Sequence, residues 1–186
     1  MMELLCVTGN SNKAREVADI LSRYGIEVRQ ADLDLPEVQS DSVEEVARLF
    51  AAEAYGRLKA PLIVEDAGLF IEALKGFPGA YSAYVFRTIG NGGILKLMEG
   101  LSQREATFRS AIAYCGEGAK VRVFVGEAPG EIALRDRGTY WGFDPIFIPR
   151  EGDGRTYAEM GKEVKDGISH RRKALDKLAA YLRTTR

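Results

Sequence analysis

Residues 3–17 read E-L-L-C-V-T-G-N-S-N-K-A-R-E-V. The first five form an apolar run typical of a buried strand, and the small polar residues after them are typical of a turn. Apolar residues then recur at helical spacing, so we expect a helix to begin near Asn12 or Lys13 and to end before Gly25. A strand that passes through such a turn into a helix predicts an α/β domain.

Strand and helix patterns alternate through the first part of the chain. Residues 27–31 predict a second strand. Ser42 and Glu45 have the spacing of a capping box, which predicts the start of a helix. The run L-I-V-E-D-A-G-L at 62–69 predicts a strand that passes into a loop at its two acidic residues. In open α/β sheets, ligands bind where such loops follow strands.

The pattern changes in the second half of the chain. A short helix is predicted after the glycines of 90–93. Residues 107–114 and 121–125 alternate between apolar and polar, which predicts an antiparallel hairpin, and a third strand is predicted at 130–134. An amphipathic helix with Ser169 as its N-cap is predicted to follow. The fold class is therefore α/β with a mixed sheet and flanking helices.

Composition limits the classes of function. The chain has 186 residues, 46% of them hydrophobic, which suits one domain over 1–186, with two lobes. A net charge of -1 and a pI near 6.0 disfavour nucleic acid as a partner. We expect no membrane association, because no signal peptide or long apolar span is evident. Cys6 and Cys115 lie in apolar segments without metal-binding spacing, which predicts buried, reduced thiols in a cytoplasmic protein.

The loop after the first strand combines a hydroxyl, a glycine and the amides of a helix start. Its residues are Thr8, Gly9, Asn10, Ser11, Asn12 and Lys13. A lysine in the first helical turn opposes the helix dipole by ~0.3–1 kcal/mol, and a bound phosphate would reverse that cost. A solvated lysine after an ordinary N-cap explains the loop equally well. The sequence of a Walker motif is absent.

Acidic residues form a second candidate site. Glu65 and Asp66 follow an apolar strand, where carboxylates are costly to bury unless they meet a cation or hydrogen-bond donors. Mg²⁺ prefers such oxygen ligands and usually keeps several waters beside substrate phosphates. Glu37, in D-L-P-E-V-Q, could complete the set, although its spacing alone favours a surface position.

Aromatic and cationic residues form two further candidates. The segment T-Y-W-G-F-D-P-I-F at 139–147 contains Trp141, and a ring there could stack on a nucleobase, worth roughly 1–3 kcal/mol. Aromatic residues beside a glycine more often serve a core. The segment 165–172 places cations at another helix start and contains His170, the sole histidine, which excludes a site of several histidines. Two cationic helix starts together favour an anionic ligand.

These segments, in this order, resemble the inosine/xanthosine triphosphate pyrophosphatase family, which hydrolyses triphosphates of deaminated purines. The resemblance rests on T-G-N-S-N-K-A-R-E, D-L-P-E-V-Q, V-E-D-A-G-L, G-F-P-G-A-Y-S, W-G-F-D-P-I-F, T-Y-A-E-M and I-S-H-R-R-K-A, which span residues 8–174. It implies an elongated mixed sheet with flanking helices, two lobes around a central substrate cleft, and a homodimer. It also implies one Mg²⁺ per subunit, with Mn²⁺ able to substitute.

The resemblance also implies roles for individual residues. The loop Thr8–Lys13 would cradle the triphosphate, Glu37 and Asp66 would hold the metal, and Asp66 would orient or deprotonate the attacking water, with Glu65 in support. Ala67 would contact the substrate through its backbone, and Trp141 would pack against the purine, followed by Gly142, Phe143 and Asp144 in the same base-and-sugar loop. Lys165, His170 and Arg171 would lie at the base edge, and Ser169 would cap their helix.

The expected activity is Mg²⁺-dependent hydrolysis of ITP, dITP and XTP to the monophosphate and pyrophosphate. Lysine and arginine only donate hydrogen bonds, so they match a 6-keto oxygen rather than the 6-amino group of adenine. A non-hydrolytic purine-nucleotide-binding regulatory module is the alternative. An RNA-binding domain is disfavoured by the pI, and a Ser-His-Asp mechanism by the absence of a G-x-S-x-G elbow.

Overall fold

We analysed a computed structural model that describes residues 2–35 and 38–184. The predicted metal ligand Glu37 lies outside the described residues. Within them the chain forms seven strands and seven α-helices. The strands are β1 (Met2–Val7), β2 (Ile26–Ala31), β3 (Leu62–Ile71), β4 (Pro78–Gly79), β5 (Glu105–Cys115), β6 (Val121–Ile132) and β7 (Phe147–Pro149). The helices are α1 (Ser11–Ser22), α2 (Val43–Leu58), α3 (Ser82–Thr88), α4 (Gly90–Leu97), α5 (Tyr157–Met160), α6 (Lys162–Ile168) and α7 (His170–Thr184).

The strands form a mixed sheet, in the hydrogen-bonded order β2-β1-β3-β5-β6-β7, with β4 paired to β3. β1 pairs in parallel with β2 along its whole length and with β3 at Leu5–Val7. β3 pairs antiparallel with β4, and β6 pairs antiparallel with β7. The predicted fold class, a mixed sheet with flanking helices, is confirmed.

The chain divides into two compact units. Unit 1 comprises Met1–Asp66, Ser110–Gly126 and Arg171–Arg186, and unit 2 comprises Ala67–Arg109 and Glu127–His170. The chain therefore passes from one unit to the other four times, after Asp66, Arg109, Gly126 and His170.

Each unit has its own apolar core. In unit 1, α1 and α7 pack their apolar faces on β1, β3 and β5. The residues at the centre of this core are Leu4, Val17, Ile20, Leu21, Ile63, Ile112, Leu175 and Leu178. In unit 2, the core is richer in aromatic residues. Its centre includes Leu69, Ile71, Ile94, Phe108, Ile132, Phe143, Phe147 and Tyr157.

Several sequence predictions are confirmed and others need correction. The strand at 27–31, the helix after Ser42 and the terminal helix after Ser169 are all present. The predicted loop at Glu65 and Asp66 is wrong, because β3 continues through both residues to Ile71. The separate strand at 130–134 is also wrong, since these residues continue β6 as far as Ile132. No helix in the described part of the chain is both long enough and apolar enough to span a membrane.

Candidate functional site

The loop between β1 and α1 is organised by its own side chains. The helix begins at Ser11, one or two residues earlier than predicted, because Asn10 is the N-cap. The Asn10 Oδ1 accepts hydrogen bonds from the backbone amides of Asn12 (3.0 Å) and Lys13 (3.2 Å). The amide of Asn10 donates to Oγ1 of Thr8 at 3.1 Å. Polar residues of the loop therefore satisfy the first-turn amides that an anion would otherwise contact.

Lys13 is directed toward β3. Its Nζ lies 3.5 Å from the backbone carbonyl oxygen of Glu65 and 3.8 Å from Oε2 of the same residue. The ammonium group is partly accessible, with 19% of the side chain exposed. A cation at a helix start is unfavourable by itself, and here the Glu65 carboxylate compensates it.

Glu65 belongs to a group of polar side chains buried in unit 1, which we call the buried ion cluster: Glu16, Glu65, Ser110 and Arg171, with Lys13 at its edge. Arg171 donates from Nε to both carboxylate oxygens of Glu65, at 2.9 and 3.0 Å, and from its NH1 group to Glu16. Ser110 donates to Glu65 Oε1 at 2.6 Å. Hydrogen bonds between ionised groups, as between this guanidinium and the two carboxylates, are stronger than those between neutral groups.

The cluster keeps its members ionised despite burial. Burial by itself opposes the charge on Glu65, but Arg171, Lys13 and the Ser110 hydrogen bond outweigh it, so the pKa of Glu65 is lowered. Burial likewise opposes the charge on Arg171, and the two carboxylates outweigh it and raise the pKa of Arg171. Burial raises the pKa of the nearby Cys6 thiol to about 12, and the Glu65 charge adds to this effect. Cys6 is therefore a neutral packing residue at physiological pH, as predicted.

Asp66 follows Glu65 on β3 and is partly exposed, whereas Glu65 is buried. Successive strand residues face opposite sides of a sheet, which separates the two carboxylates. Glu65 does not fit a metal site, because both of its oxygens are bound by Arg171.

The metal site itself stays a prediction. Within 2–35 and 38–184, no group of three His, Cys, Asp or Glu side chains could hold a metal ion. Asp66 nevertheless fits Mg²⁺ by its chemistry, since that ion is usually bound through one or two carboxylates, with water and substrate phosphate completing its shell.

A second cationic group lies in unit 2, which we call the aromatic lysine cluster: Tyr140, Trp141, Asp144, Tyr157 and Lys165. The Nζ of Lys165 lies 2.6 Å from Oδ2 of Asp144, and both residues are buried. The same Nζ lies 4.7, 5.1 and 5.8 Å from the ring centroids of Tyr140, Trp141 and Tyr157. These distances are within the range of cation–π attraction, so one carboxylate and three rings hold the ammonium group.

Other predicted base-side residues pack beside this cluster. The His170 ring is buried and stacks on Phe108, with ring centroids 4.7 Å apart and an interplanar angle of 9°. Phe143 is buried in the core of unit 2, edge-on to Phe86 at 5.4 Å. Packing is therefore the role that the structure shows for Phe143. Ser169 is buried directly before α7, where a cap is expected.

The structure places the predicted site residues in two groups. The loop Thr8–Lys13, Asp66 and Arg171 belong to unit 1. The unit 2 group contains Ala67, Trp141, Gly142, Phe143, Asp144, Lys165, Ser169 and His170. The base-edge role of Arg171 stays a prediction, and the geometry shows a different role, because its guanidinium group is buried between Glu65 and Glu16.

Sequence reasoning missed several participants. Glu16 lies one turn before the buried Ile20 on α1, and an acidic residue on an apolar helix face is the signal that could have identified it. Ser110, Tyr140 and Phe108 carried no such signal, since a serine in a strand and aromatic residues near a core are common.

The fold and these two groups define a mixed α/β protein with a cationic strand–loop–helix turn in one unit and a lysine held among aromatic rings in the other. Comparison with known proteins identifies the family. Residues 4–181 match the Ham1 family, and the chain belongs to it. The predicted family resemblance is thereby confirmed.

Named relatives and solved structures agree with this membership. A dITP/XTP pyrophosphatase of Methanopyrus kandleri is 55% identical over 97% of this chain and 96% of its own length. One from Ignicoccus hospitalis is 53% identical over 95% of this chain and 94% of its own. The solved Ham1 protein of Staphylococcus aureus covers 99% of this chain and 100% of its own, with a TM-score of 0.85 at 31% identity.

Proposed function

We propose that this protein hydrolyses the triphosphates of deaminated purines, namely dITP, ITP and XTP, to the nucleoside monophosphate and pyrophosphate. The observation that carries the proposal is the full-length similarity, at 55% and 53% identity, to proteins named dITP/XTP pyrophosphatase. Lys13 and the aromatic lysine cluster give this similarity a physical basis. A triphosphate needs a cation such as Lys13, and a purine needs a flat, partly polar surface such as the rings of the cluster.

In this proposal, Lys13, Asp66 and Glu37 are the phosphate-side groups. Lys13 is partly exposed at the start of α1 and would pair with a phosphate oxygen. Asp66 and Glu37 would hold Mg²⁺, which supplies charge stabilisation at the phosphoryl oxygens when it is bound. Asp66 would also accept a proton from the water that breaks the link between the α and β phosphates.

Trp141 and Lys165 would be the base-side groups. Trp141 is only partly buried and lies in the aromatic lysine cluster, so its ring could stack on a purine. Lys165 carries three donors and cannot accept, so it favours a 6-keto oxygen over the 6-amino group of adenine. An unpaired polar group in such a site costs ~1–3 kcal/mol, a discrimination of roughly ten- to a hundredfold.

The test is pyrophosphate release with Mg²⁺ from dITP, ITP, XTP, GTP and dATP. We expect turnover of the first three and at least about tenfold slower turnover of dATP, because Lys165 would face its 6-amino group. GTP shares the 6-keto oxygen, so its slower turnover would require that the site offers no acceptor for the 2-amino group. Asp66→Asn should lower kcat by about 10²–10⁴-fold, the usual contribution of a general base. Asp41→Asn, at an exposed loop position, is the matched control and should leave kcat unchanged.

Three outcomes would each contradict part of this proposal. Binding of dITP without turnover would favour the regulatory module that holds a purine nucleotide. Rapid turnover by Asp66→Asn would remove Asp66 from the mechanism, and dATP turnover as fast as that of dITP would remove the proposed basis of selectivity.

We also propose that the protein works in the cytoplasm as a homodimer. Both cysteines of the chain are free and buried, which suits a reducing compartment. Light scattering coupled to size-exclusion chromatography should give twice the 20.5 kDa chain mass. A mass of one chain across the micromolar range would refute the dimer.

A further inference from the structure

Lys13 adds a second positive charge to the buried ion cluster. Glu16 and Glu65 carry two negative charges, and Arg171 supplies one positive charge to both. Lys13 lies at the edge of the cluster, 3.8 Å from Glu65. Because an uncompensated charge in a buried site is costly, the cluster attracts the lysine ammonium group toward Glu65.

Glu65 is itself held in a single position. Ser110 binds one of its oxygens, and Arg171 binds both. Its side chain is only 2% exposed, as is that of Glu16, so water does not compete for these bonds. The carboxylate and the backbone carbonyl of Glu65 both face the lysine, within 3.8 and 3.5 Å. Lys13 therefore points toward two acceptors of one residue on β3.

We propose that Glu65 is a positioning residue for Lys13, and that Ser110 and Arg171 hold Glu65 in place for this task. Lysine has a flexible stem, and ordering it costs conformational entropy. A lysine already directed by Glu65 loses less of that freedom when a phosphate arrives, which strengthens phosphate binding. This inference rests on the proposed function, because it takes Lys13 to be the phosphate contact.

A double-mutant cycle tests the inference. The proteins are wild type, Glu65→Gln, Lys13→Met and the double variant, and the measurement is kcat/KM for dITP with Mg²⁺. Glutamine keeps the shape of Glu65 but removes its charge. We expect Glu65→Gln to lower kcat/KM about tenfold in the wild type, mainly through KM, and less than about twofold in the Lys13→Met background. Equal losses in both backgrounds would show a structural effect alone and would overturn the inference.

A second variant covers the case in which Glu65→Gln does not fold. Ser110→Ala keeps every charge and removes one hydrogen bond to Glu65. We expect Ser110→Ala to raise KM several-fold in the wild type and to leave KM unchanged in the Lys13→Met background. Thr107→Ala, on the same strand β5, is the matched control and should change neither parameter. A rise in KM of equal size in the Lys13→Met background would overturn the inference.

A binding measurement separates this inference from the proposed function. Calorimetry with inorganic tripolyphosphate reports phosphate affinity without turnover, so it applies even if the wild type proves inactive on dITP. We expect Glu65→Gln to raise the Kd for tripolyphosphate in the wild type, and to raise it much less in the Lys13→Met background. Additive effects on Kd, or no tripolyphosphate binding by the wild type, would overturn the inference whatever the assay with dITP shows.

Discussion

Two buried cations, Arg171 in unit 1 and Lys165 in unit 2, have different surroundings. Arg171 is bound by two carboxylates, and one of these also accepts from Ser110. Lys165 has one carboxylate, Asp144, and three aromatic rings around it. Carboxylates and hydrogen-bond donors therefore fill one environment, whereas ring faces form most of the other.

This difference indicates a division of tasks. A guanidinium group that binds two carboxylates from different donor atoms is held on two sides, so Arg171 suits the support of neighbouring charges. An ammonium group among aromatic rings can also make a cation–π contact with a planar partner that stacks on the same rings. We therefore expect changes in the buried ion cluster to alter stability first, and changes in the aromatic lysine cluster to alter nucleotide affinity first.

The largest expected effect is on stability in unit 1. Arg171→Met removes the guanidinium group that Glu65 and Glu16 share and leaves both buried carboxylates without it. Breaking a buried ion pair by removing one partner costs about 3–5 kcal/mol, so the free energy of unfolding measured in urea should fall by that amount.

The neighbouring arginine provides the control. Arg172 pairs with Asp176 at 2.6 Å, and both side chains are partly exposed, at 20% and 41%. Such pairs are worth about 0–1 kcal/mol, so Arg172→Met should have a correspondingly small effect. If Arg171→Met and Arg172→Met lowered the free energy of unfolding equally, the buried ion cluster would contribute no more to stability than the partly exposed pair.

The next effect is on affinity in unit 2. Trp141→Ala removes the partly exposed ring of the aromatic lysine cluster and should weaken dITP binding by about 1–3 kcal/mol, the usual worth of one base stack. Trp141→Phe keeps a ring and should retain most of the affinity. Calorimetric Kd values and urea unfolding should be measured together. A loss of stability without a change in Kd would place Trp141 in the core instead.

The smallest effect is the pH dependence of stability. The pKa of Glu65 is below its ordinary value of 4.5 in the folded protein. Its contribution to stability is therefore fully present above that value and is lost as the pH falls through the lowered pKa. Unfolding of wild type and Glu65→Gln in urea between about pH 6 and pH 3 should show a shallower acid loss in the variant. Identical slopes would contradict the shift.

Local signals in the sequence predicted much of the fold. The apolar run before Thr8, the cap at Ser42 and the stripe of α7 depend on neighbours within one or two turns, and all three are present. The end of β3 was mispredicted because two adjacent acidic residues resemble a loop. Burial of Glu65 inside a strand needs Arg171, which lies 106 residues away in the chain.

The candidate site shows the same limit. Motif order was sufficient to identify the family, because each motif is short and continuous in the sequence. The partners of the charges were not predictable in this way. Glu16 pairs with Arg171 across 155 residues, and Ser110 reaches Glu65 across 45. No periodicity connects such positions, so the sequence did not indicate the ion pairs of Arg171, and the base-edge role that the family resemblance implies for it stays a prediction.

The sequence by itself determined the alternation of strands and helices, the cationic turn at Lys13 and the membership of the family, because these depend on residues close together along the chain. Only the tertiary structure decided that Glu65 is a buried counter-ion and that Lys165 lies among aromatic rings. The physical reason is that the cost of burying a charge depends on the groups that surround it in space, and folding alone brings those groups together.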